Sequence, residues 1–574
     1  MAVESSSLSE KVAKKLVTGN LTKVGVENRI PDGIFNRIED QNYIRSLFRN
    51  ISREKESLVL IDCGNLNFYA KMIVTSFKDN SITIKTDVDI DVNILKNSKI
   101  KVSFIFKEEF INFESTLLEV INKEKFLIQK PETILSSLRR LLSRYKIKND
   151  EIVELQISEN GPFCSLLDIS TKGLSFLSNE PIAENTVLSN INISFNHEVK
   201  VWVDGYVKYC IPTKNCNYLC GLSFLNASWE VFDKIFNYIY KQKYPKLKPL
   251  FNCDIEQIYN LFFDSGYLNL KPKEEMEDNF NKMANNLDKI KNRSQLSFNV
   301  AYLDNGKLFS TASLLRIYNR TFLGHQLAAI PEARMNLKTK TDIYLSLCDF
   351  LLNHPYCLYN LMYFDANSLW HNQMFKRISN YIDDKNNVLY DSIQLFEFEI
   401  KSFKNVKSKL TCKQLGDNKE FLEYCEKNIH NIEMNSYSYN DGFWLEEIKQ
   451  VYELVGLFMD RKLWGIFYDE KIIAFIVTEV YFQGANLYDL LDMARIYIKD
   501  YKENAEDIIK AALPAIVPFY RRYNKEKFNV LIKIEDKAAY SINIQGLNYS
   551  HRMGRFFMSL RGLSTYKKIL MLNV

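Results

Sequence analysis

The chain has 574 residues, of which 46% are hydrophobic and 25% are charged, and its formal net charge is +5. This composition is typical of globular proteins and excludes a disordered chain, and the length suggests three or four domains. The small net charge gives no indication of a DNA-binding protein or of a general binder of nucleic acids or membranes.

Targeting, membrane and metal signals are not recognisable in the sequence. No secretory signal is present, and the longest apolar runs fall short of the roughly 20 residues that a membrane span needs. We therefore expect a cytoplasmic protein without a transmembrane segment. The ten cysteines are scattered without the spacing of zinc ligands, so we predict no metal site and reduced thiols.

The first part of the chain is predicted to contain a small β-barrel. Residues 1–40 are a polar lead-in. In residues 41–131, β-branched and aromatic residues at near-alternating positions are interrupted by Asn, Asp and Gly, as in short strands joined by turns. Five such segments lie at residues 58–61, 70–75, 81–86, 99–106 and 111–118.

Two short motifs in residues 132–245 carry the strongest chemical signal. The first is an RRxxxR pattern formed by Arg139, Arg140 and Arg144. The second begins 24 positions after Arg144 and is a DxSxxG pattern formed by Asp168, Ser170 and Gly173. Each motif alone is more typical of a solvated helix face or of an ordinary turn, so the prediction depends on their occurring together.

The chemistry of the two motifs suits an anionic guanine nucleotide. Arginine binds phosphate through parallel hydrogen bonds, stacks on bases and donates to guanine O6 and N7. Aspartate accepts from the donors on the Watson–Crick edge of guanine. A glycine at the end of the second motif permits a left-handed backbone or a close approach to a ligand.

The motifs, together with strand-like segments at residues 166–170, 173–177, 205–209 and 220–225, resemble the PilZ family of bacterial cyclic di-GMP receptors. The resemblance covers roughly residues 136–240. It implies a six-stranded β-barrel and second-messenger signalling, with cyclic di-GMP as ligand of the six motif residues. In this family an arginine at the position of Arg139 is associated with binding an intercalated dimer of the dinucleotide.

The order of a small barrel followed by this domain is similar to that of flagellar-brake proteins. In such an arrangement the arginines lie on the connector between the two barrels, and the DxSxxG turn lies on the surface of the second. A ligand that touches both motifs would order the connector and fix the barrels relative to each other. The linker at residues 241–249 then leads into the rest of the chain.

From residue 250 the pattern changes to α/β and occurs twice. In each half, three strands are followed by a helix, a strand and a helix, which suggests an internal duplication with units at residues 250–410 and 411–574. This order resembles the GNAT acyltransferase superfamily, and the double unit resembles its tandem members, such as aminoacyl transferases. The resemblance implies a coenzyme A thioester as acyl donor, held by a [Q/R]xxGx[G/A] turn at a helix N-terminus.

The corresponding turns do not carry the phosphate-binding pattern. Residues 333–338 and 499–504 contain no glycine, and the second turn has acidic side chains that would repel phosphate. We therefore expect no coenzyme A in the second unit. In the first unit, an anion could still be held by Arg334, Lys338 and Lys340.

No catalytic residue is assigned from the sequence. His325 and His371 are candidate general bases, because histidine titrates near neutral pH. The alternative is that each imidazole is hydrogen-bonded in a core or exposed. Three carboxylates end or interrupt predicted strands, where they are more often caps than catalysts: Asp365, Asp489 and Asp492.

The sequence therefore predicts a multidomain β and α+β protein and leaves two functions open. The first is a receptor in which cyclic di-GMP controls a GNAT-like output region, through an unidentified protein partner or a regulated acyl transfer. The second is an acyl- or aminoacyltransferase, with an unidentified acceptor, that cyclic di-GMP regulates. The missing phosphate-binding turn favours the first, and a flagellar-motor brake fits the additional C-terminal region poorly.

Overall fold

The structure, a computed structural model, describes residues 35–38, 41, 44–45, 47–48, 51, 57–62, 67–73, 81–86, 98–106, 109–122, 125–138, 144–158, 161–213, 217–225, 227–268, 273–291, 293–335, 337–382, 384–404, 408–499 and 504–572. The chain divides into two units, Met1–Ser143 and Arg144–Val574. Within the described residues, the strands of the first unit form one sheet and those of the second unit form two.

The first unit contains a closed antiparallel barrel. The sheet order is β1-β8-β6-β5-β2-β3-β4-β7, and β7 pairs again with β6, which closes the ring. The strands are β1 (Phe35–Ile38), β2 (Ser57–Asp62), β3 (Asn67–Ile73), β4 (Ser81–Thr86), β5 (Lys99–Phe106), β6 (Glu109–Asn122), β7 (Lys125–Gln129) and β8 (Ile134–Leu138).

Strand β6 is what closes this first ring. Its first part pairs with β5 and β8, whereas the part from Leu117 onwards pairs with β7 across two register shifts. Bulges of this kind bend a strand and increase its twist, so that one long strand can serve both edges of the sheet. Isoleucines at 82, 84, 111 and 128 are buried inside. All five segments predicted from the sequence lie in or overlap β2–β6.

The second unit begins with another closed antiparallel barrel of six strands. Its order is β10-β13-β14-β15-β12-β11, with β11 pairing again with β10, and the short strand β9 is added outside β11. The strands are β9 (Tyr145–Lys146), β10 (Val153–Gln156), β11 (Phe163–Ser170), β12 (Gly173–Ser178), β13 (Val187–Phe195), β14 (Val199–Pro212) and β15 (Tyr218–Leu225). This ring confirms the predicted six-stranded barrel, although β10 and β13 were not recognised in the sequence.

Helix α1 (Trp229–Lys243) joins this barrel to the rest of the second unit. Ser228 caps its N-terminus by accepting a hydrogen bond from the backbone N–H of Val231. One side of the helix places Ile235 and Tyr238 in the barrel core, where Tyr238 stacks on Phe195 at 4.2 Å between ring centroids. The helix thus contributes to the core of the barrel.

The C-terminal region is one continuous sheet of twelve strands. Its order is β16-β17-β18-β19-β20-β27-β21-β26-β25-β24-β23-β22. The strands are β16 (Leu247–Pro249), β17 (Ser297–Asp304), β18 (Lys307–Tyr318), β19 (Thr321–Ala329), β20 (Tyr359–Asp365), β21 (Val388–Glu399), β22 (Thr411–Gln414), β23 (Met459–Tyr468), β24 (Lys471–Tyr481), β25 (Met493–Ile498), β26 (Lys527–Ile532) and β27 (Leu547–Ser559).

Helices accompany the strands of both halves of this sheet. They are α2 (Ile255–Asp264), α3 (Lys273–Ile290), α4 (Pro331–Met335), α5 (Leu337–Asn353), α6 (Leu369–Ile382), α7 (Lys419–Asn428), α8 (Asn431–Ser436), α9 (Glu446–Glu453), α10 (Ala505–Arg522), α11 (Asp536–Ser541) and α12 (Leu560–Leu572). Helix α5 connects the parallel strands β19 and β20, and α10 connects the parallel strands β25 and β26. The internal duplication expected from the sequence is therefore visible in the strand order.

The two halves exchange their last strands. Strand β27, from the end of the chain, lies between β20 and β21 of the first half, and β21 lies between β26 and β27 of the second half. The predicted units at residues 250–410 and 411–574 are therefore interlocked parts of one sheet. The sequence did not predict β21 or β27, although they occupy the centre of the sheet.

The barrel of the second unit packs against the twelve-stranded sheet through an aromatic contact. The face of α1 opposite the barrel core carries Phe236 and Tyr240, which meet Phe350 and Phe298 at centroid distances of 5.5 and 5.3 Å. His354, which follows α5, lies at the same contact, and its Nε2 donates to the carbonyl of Ser294 at 3.0 Å. Barrel and sheet thus share a buried, aromatic-rich boundary.

Candidate functional site

The two predicted motifs meet in an ion pair on the barrel of the second unit. Arg144 precedes β9 and donates from Nη1 to Oδ1 of Asp168 on β11 at 2.7 Å. The side chains are 14% and 23% exposed, so the pair lies at the surface without being fully solvated. Within the described part of the chain, this is the one hydrogen bond that either side chain makes.

A β-bulge gives Asp168 its position. The pairing of β11 with β12 shifts register between Leu166 and Asp168, and the carbonyl of Leu167 accepts from the backbone N–H of Ile147 at 3.0 Å. A bulge re-aims the side chains that follow it. Asp168 consequently stands beside Lys146 of β9, its direct cross-strand partner.

Ser170 and Gly173 shape the turn that follows Asp168. Ser170 Oγ donates to the carbonyl of Gly173 at 3.1 Å and accepts from the N–H of Lys172 at 3.4 Å. A Cβ atom at position 173 would lie 2.3 Å from the carbonyl oxygen of Leu222 on β15, so glycine is required here by close packing. These two residues hold the turn, whereas Arg144 and Asp168 present partly exposed polar groups.

A polar row across the barrel adds residues that the sequence reading missed. Lys146, Asp168, Ser175, Gly221 and Tyr209 are successive direct partners across β9, β11, β12, β15 and β14. Directly paired residues in antiparallel strands share a face of the sheet. At about 4.8 Å per strand, the row extends roughly 14 Å from the aspartate to the tyrosine. The alternation of β14 would point Tyr209 inward, but a register shift between Val207 and Tyr209 places it in line with Asp168.

Arg139 and Arg140 lie outside the described residues. Of the six residues predicted to bind the ligand, the structure describes four, namely Arg144, Asp168, Ser170 and Gly173, and brings them to one end of the β11–β12 hairpin.

In the second half of the sheet, the helix N-terminus that could hold a phosphate is occupied by the chain's own carboxylates. The side chain of Asn504 caps α10 by accepting from the N–H of Glu506, and Glu506 and Asp507 lie in the first turn. Glu506 Oε2 accepts from the N–H of Asn543 at 2.9 Å, and its hydrogen bond with Lys510 lowers the pKa of the carboxyl group. A carboxylate here already satisfies the positive end of the helix dipole.

The side chains of Arg334, Lys338 and Lys340, which were expected to hold an anion in the first half, lie outside the described residues.

The two candidate histidines lie in largely apolar surroundings. Burial lowers the pKa of His325 to about 4, and its Nδ1 atom is buried without a hydrogen-bond partner. His371 shares a hydrogen bond of 2.8 Å between Nδ1 and Ser368 Oγ, stacks on Phe364, and has a pKa lowered by burial. Both imidazoles are neutral near pH 7, and neither is assigned a catalytic role.

A second cluster of charges lies inside the twelve-stranded sheet. Arg461 Nε donates to Glu479 Oε1 at 2.8 Å, and Arg495 Nη1 lies 2.9 Å from Glu479 Oε2. Tyr318 donates to the same carboxylate at 2.8 Å. All these side chains are no more than 1% exposed. Burial alone would raise the pKa of Glu479, but the two guanidinium groups hold it below its usual value.

A third arginine extends this buried cluster across the exchanged strands. Arg555 on β27 pairs with Asp391 on β21 at 2.7 Å and with Glu433 on α8 at 2.5 Å. Three arginines and three carboxylates are thus matched in charge: Arg461, Arg495, Arg555, Glu479, Glu433 and Asp391. The sequence contained no signal for this cluster, because its members are scattered over residues 391–555.

The described residues contain no group of His, Cys, Asp and Glu side chains that could hold a metal ion. Among the described helices, none is long and apolar enough to cross a membrane.

Comparison with known proteins gives similarity to solved structures of two kinds. No protein-family model matches the chain, and no curated protein matches it. MrkH of K. pneumonia in complex with cyclic di-GMP is 16% identical with a TM-score of 0.29, over 36% of this chain and 96% of that chain. YcgR of Escherichia coli in complex with cyclic di-GMP is 12% identical with a TM-score of 0.29, over 37% and 94%.

A putative acetyltransferase of Pyrococcus horikoshii is 11% identical with a TM-score of 0.28, over 55% of this chain and 88% of that chain. The solved structures similar to this chain thus include both kinds of protein that the sequence resembles. These identities and TM-scores lie below those that establish a shared family or function.

Proposed function

We propose that the chain is a receptor for cyclic di-GMP, which binds through the RRxxxR and DxSxxG motifs, changes the arrangement of the domains and thereby controls the GNAT-like C-terminal region. The observation that supports this most directly is the Arg144–Asp168 pair, 2.7 Å apart and partly exposed on a closed six-stranded barrel. Arg144 ends the RRxxxR motif, and Asp168, 24 positions later, begins the DxSxxG motif, so the hydrogen bond between them brings the two motifs together.

The pair has the donors and acceptors that a guanine base requires. The remaining N–H groups of Arg144 can donate to guanine O6 and N7, and the carboxylate of Asp168 can accept from the N1 and N2 donors on the adjacent edge. Because each side chain already restrains the other, less side-chain freedom is lost when the base binds. The pair is therefore compatible with recognition of one base by both groups.

Nearby cations supply the charge for the phosphates. Lys146 is exposed on β9 beside Asp168, and Lys172 is exposed in the turn after Ser170. In the proposal, Arg139 and Arg140 complete the phosphate contacts, and Arg139 would additionally contact the second molecule of an intercalated dimer. Tyr209, in the same row as Asp168, offers an aromatic surface within roughly 14 Å.

The C-terminal region is proposed to act as the output through protein contacts. Two observations favour this role over acyl transfer in the second half. Carboxylates occupy the N-terminus of α10, and the ion pairs of Glu479 with Arg461 and Arg495 are fully buried. A regulated acyl transfer would have to use the first half, near α4 and α5. Consumption of acyl-coenzyme A by the purified protein would select that alternative.

Calorimetric titration of cyclic di-GMP tests the proposal. We expect binding near two dinucleotides per chain, with Arg140→Ala and Arg144→Ala each losing at least ~10-fold in affinity, because removing a charged hydrogen-bond partner costs about 1.5–3 kcal/mol. Lys200→Ala, an exposed cation on β14 outside the row, serves as the matched control and should bind like wild type. Wild-type protein without heat of binding and without a thermal shift would refute the proposal.

A further inference from the structure

The residue after Ser170 in the DxSxxG turn points into the protein instead of towards solvent. Thr171 is 4% exposed, and its Oγ1 donates to Oδ1 of Asn353 at 3.0 Å. Asn353 is the last residue of α5 and is itself 8% exposed. The turn of the candidate site is therefore hydrogen-bonded directly to a helix of the twelve-stranded sheet, 182 positions later in the chain.

From Asn353 the contacts continue to a buried carboxylate. Asn353 Nδ2 donates to the carbonyl of Asp349, one turn earlier in α5, at 2.7 Å. The carboxylate of Asp349 accepts from Tyr244 at 2.8 Å and pairs with Lys243 at 3.1 Å. Lys567 of α12 pairs with its other oxygen at 2.6 Å. Burial alone would raise the pKa of Asp349, but the ammonium groups of Lys567 and Lys243 hold it well below its usual value.

These contacts join three elements at one point. Lys243 ends α1 and Tyr244 follows it, Asp349 and Asn353 lie on α5, and Lys567 lies on α12, which follows the exchanged strand β27. Buried polar groups tolerate little displacement, since each unpaired group would remain without water. A change in the position of Thr171 must therefore be followed by Asn353 or break the hydrogen bond.

The turn has few ways to absorb a displacement by itself. The backbone N–H of Phe224 on β15 donates to the carbonyl of Lys172 at 2.9 Å, and Gly173 is packed directly against Leu222. Only two residues separate Asp168 from Thr171 in this strand and turn. Asp168 belongs to the polar row across the barrel, and Thr171 lies on the buried side. A ligand that pulls on Asp168 therefore acts on a short and tightly held segment.

We propose that the Thr171–Asn353 hydrogen bond transmits occupancy of the candidate site to helix α5, which makes α5 the element of the C-terminal sheet that senses the ligand. This rests on the proposed function, because it requires cyclic di-GMP to bind at Asp168. Thr171 acts here as a positioning residue and not as a ligand contact. Helix α5 is suited to the task because it connects the parallel strands β19 and β20 and packs against α12.

Hydrogen–deuterium exchange on the full chain, with and without cyclic di-GMP, tests this inference. In wild type we expect the ligand to slow exchange at the end of α5, around residues 346–353, by at least ~5-fold, within the usual range of coupling between sites. Thr171→Val keeps the shape of the side chain and removes its donor. This variant should still bind the ligand, within about threefold in calorimetry, and lose the slowing at α5.

Two further variants keep the test specific. Asn353→Leu removes the same hydrogen bond by changing its acceptor. The double variant of Thr171→Val and Asn353→Leu should lose no more of the ligand-induced slowing at α5 than either single variant. Thr213→Val, the same substitution in the β14–β15 turn, should keep the wild-type response. If wild type binds but α5 does not respond, or if Thr171→Val keeps the response, the inference is wrong. If wild type does not bind, the proposed function fails first and this inference fails with it.

Discussion

The barrel and the twelve-stranded sheet of the second unit use the same residue types in opposite ways. On the barrel, Arg144 and Asp168 form a single ion pair that is 14% and 23% exposed. In the sheet, Glu479 is enclosed between Arg461 and Arg495 with no exposure above 1%. The first pair has unused hydrogen-bonding capacity at the surface, whereas the second is enclosed by its own neighbours and closed to solvent.

This difference separates a site from a scaffold. Charges that are fully buried must be paired, because an isolated buried charge is very costly, and side chains paired in this way are not accessible to a ligand. A partly exposed pair contributes less to stability, since solvent screens it, and it remains available to a ligand. The residue types alone do not distinguish a binding site from a structural ion pair, but the exposed fraction of the side chains and the number of their hydrogen bonds do.

The largest effect that tests this comparison is the loss of a buried carboxylate charge. Glu479→Gln leaves two buried guanidinium groups without their counter-charge and should lower the free energy of unfolding by about 3–5 kcal/mol. Asp168→Asn removes the same charge from the surface pair and should cost less than about 1 kcal/mol. Chemical denaturation of both variants measures the contrast. Equal losses would mean that the surface pair is structural, and the comparison would fail.

A buried histidine at the boundary between barrel and sheet should make the stability of the protein depend on pH, with an effect of intermediate size. Burial, together with the charge of Arg316, lowers the pKa of His354 to about 3, and the ordinary value is 6.5. Between these values the unfolded chain binds a proton that the native protein does not, so stability falls as the pH is lowered below 6.5. From pH 7 to pH 5 the loss is about 2 kcal/mol for this histidine.

Denaturation curves at pH 7, 6 and 5 for wild type and His354→Gln measure this contribution. The glutamine does not titrate, so the variant should show a shallower loss of stability over this range. Burial lowers the pKa of His325 in the same direction, so part of the wild-type dependence should remain. Parallel curves for the two proteins would mean that the native contact accommodates a charged imidazole.

The smallest expected effect concerns the turn itself. Ser170→Ala removes the hydrogen bond to the carbonyl of Gly173 and should lower stability by about 0.5–1.5 kcal/mol. Its effect on cyclic di-GMP affinity should be smaller than that of Arg144→Ala, because the hydroxyl group shapes the turn from a buried position. Thermal shift and calorimetry measure the two effects, with the exposed Ser165→Ala on the same strand as control. An affinity loss as large as that of Arg144→Ala would place Ser170 in direct contact with the ligand.

The sequence predicted the barrels well because their physics is local. Strands such as β6 and β14 alternate between buried and less buried positions, and β11 and β12 are joined by a short turn with recognisable residues. The two motifs could likewise be identified from spacing, and the structure brings Arg144 and Asp168 together. The role of Thr171 could not be predicted, because its partner Asn353 is 182 positions away.

The central strands β21 and β27 were missed for a physical reason. Each contains polar residues that interrupt the apolar pattern expected of a buried strand, such as Asp391 and Gln394 on β21 and Arg555 on β27. The structure shows that these residues satisfy one another, with Arg555 on Asp391 and Tyr549 on Gln394. A single strand does not reveal this, because its polarity is balanced only by a strand that lies far away in the chain.

The strand exchange has a consequence for how the chain is made. Strand β20 pairs residue 359 with residue 559, so the central pairing cannot form until the polypeptide has left the ribosome as far as β27. Until then both halves of the sheet expose open edges, which are prone to pair with other chains. Such distant pairings also slow folding, because a long loop must close before the contact forms. Truncation within β27 should therefore yield chains that aggregate during synthesis, although most of the sequence is still present.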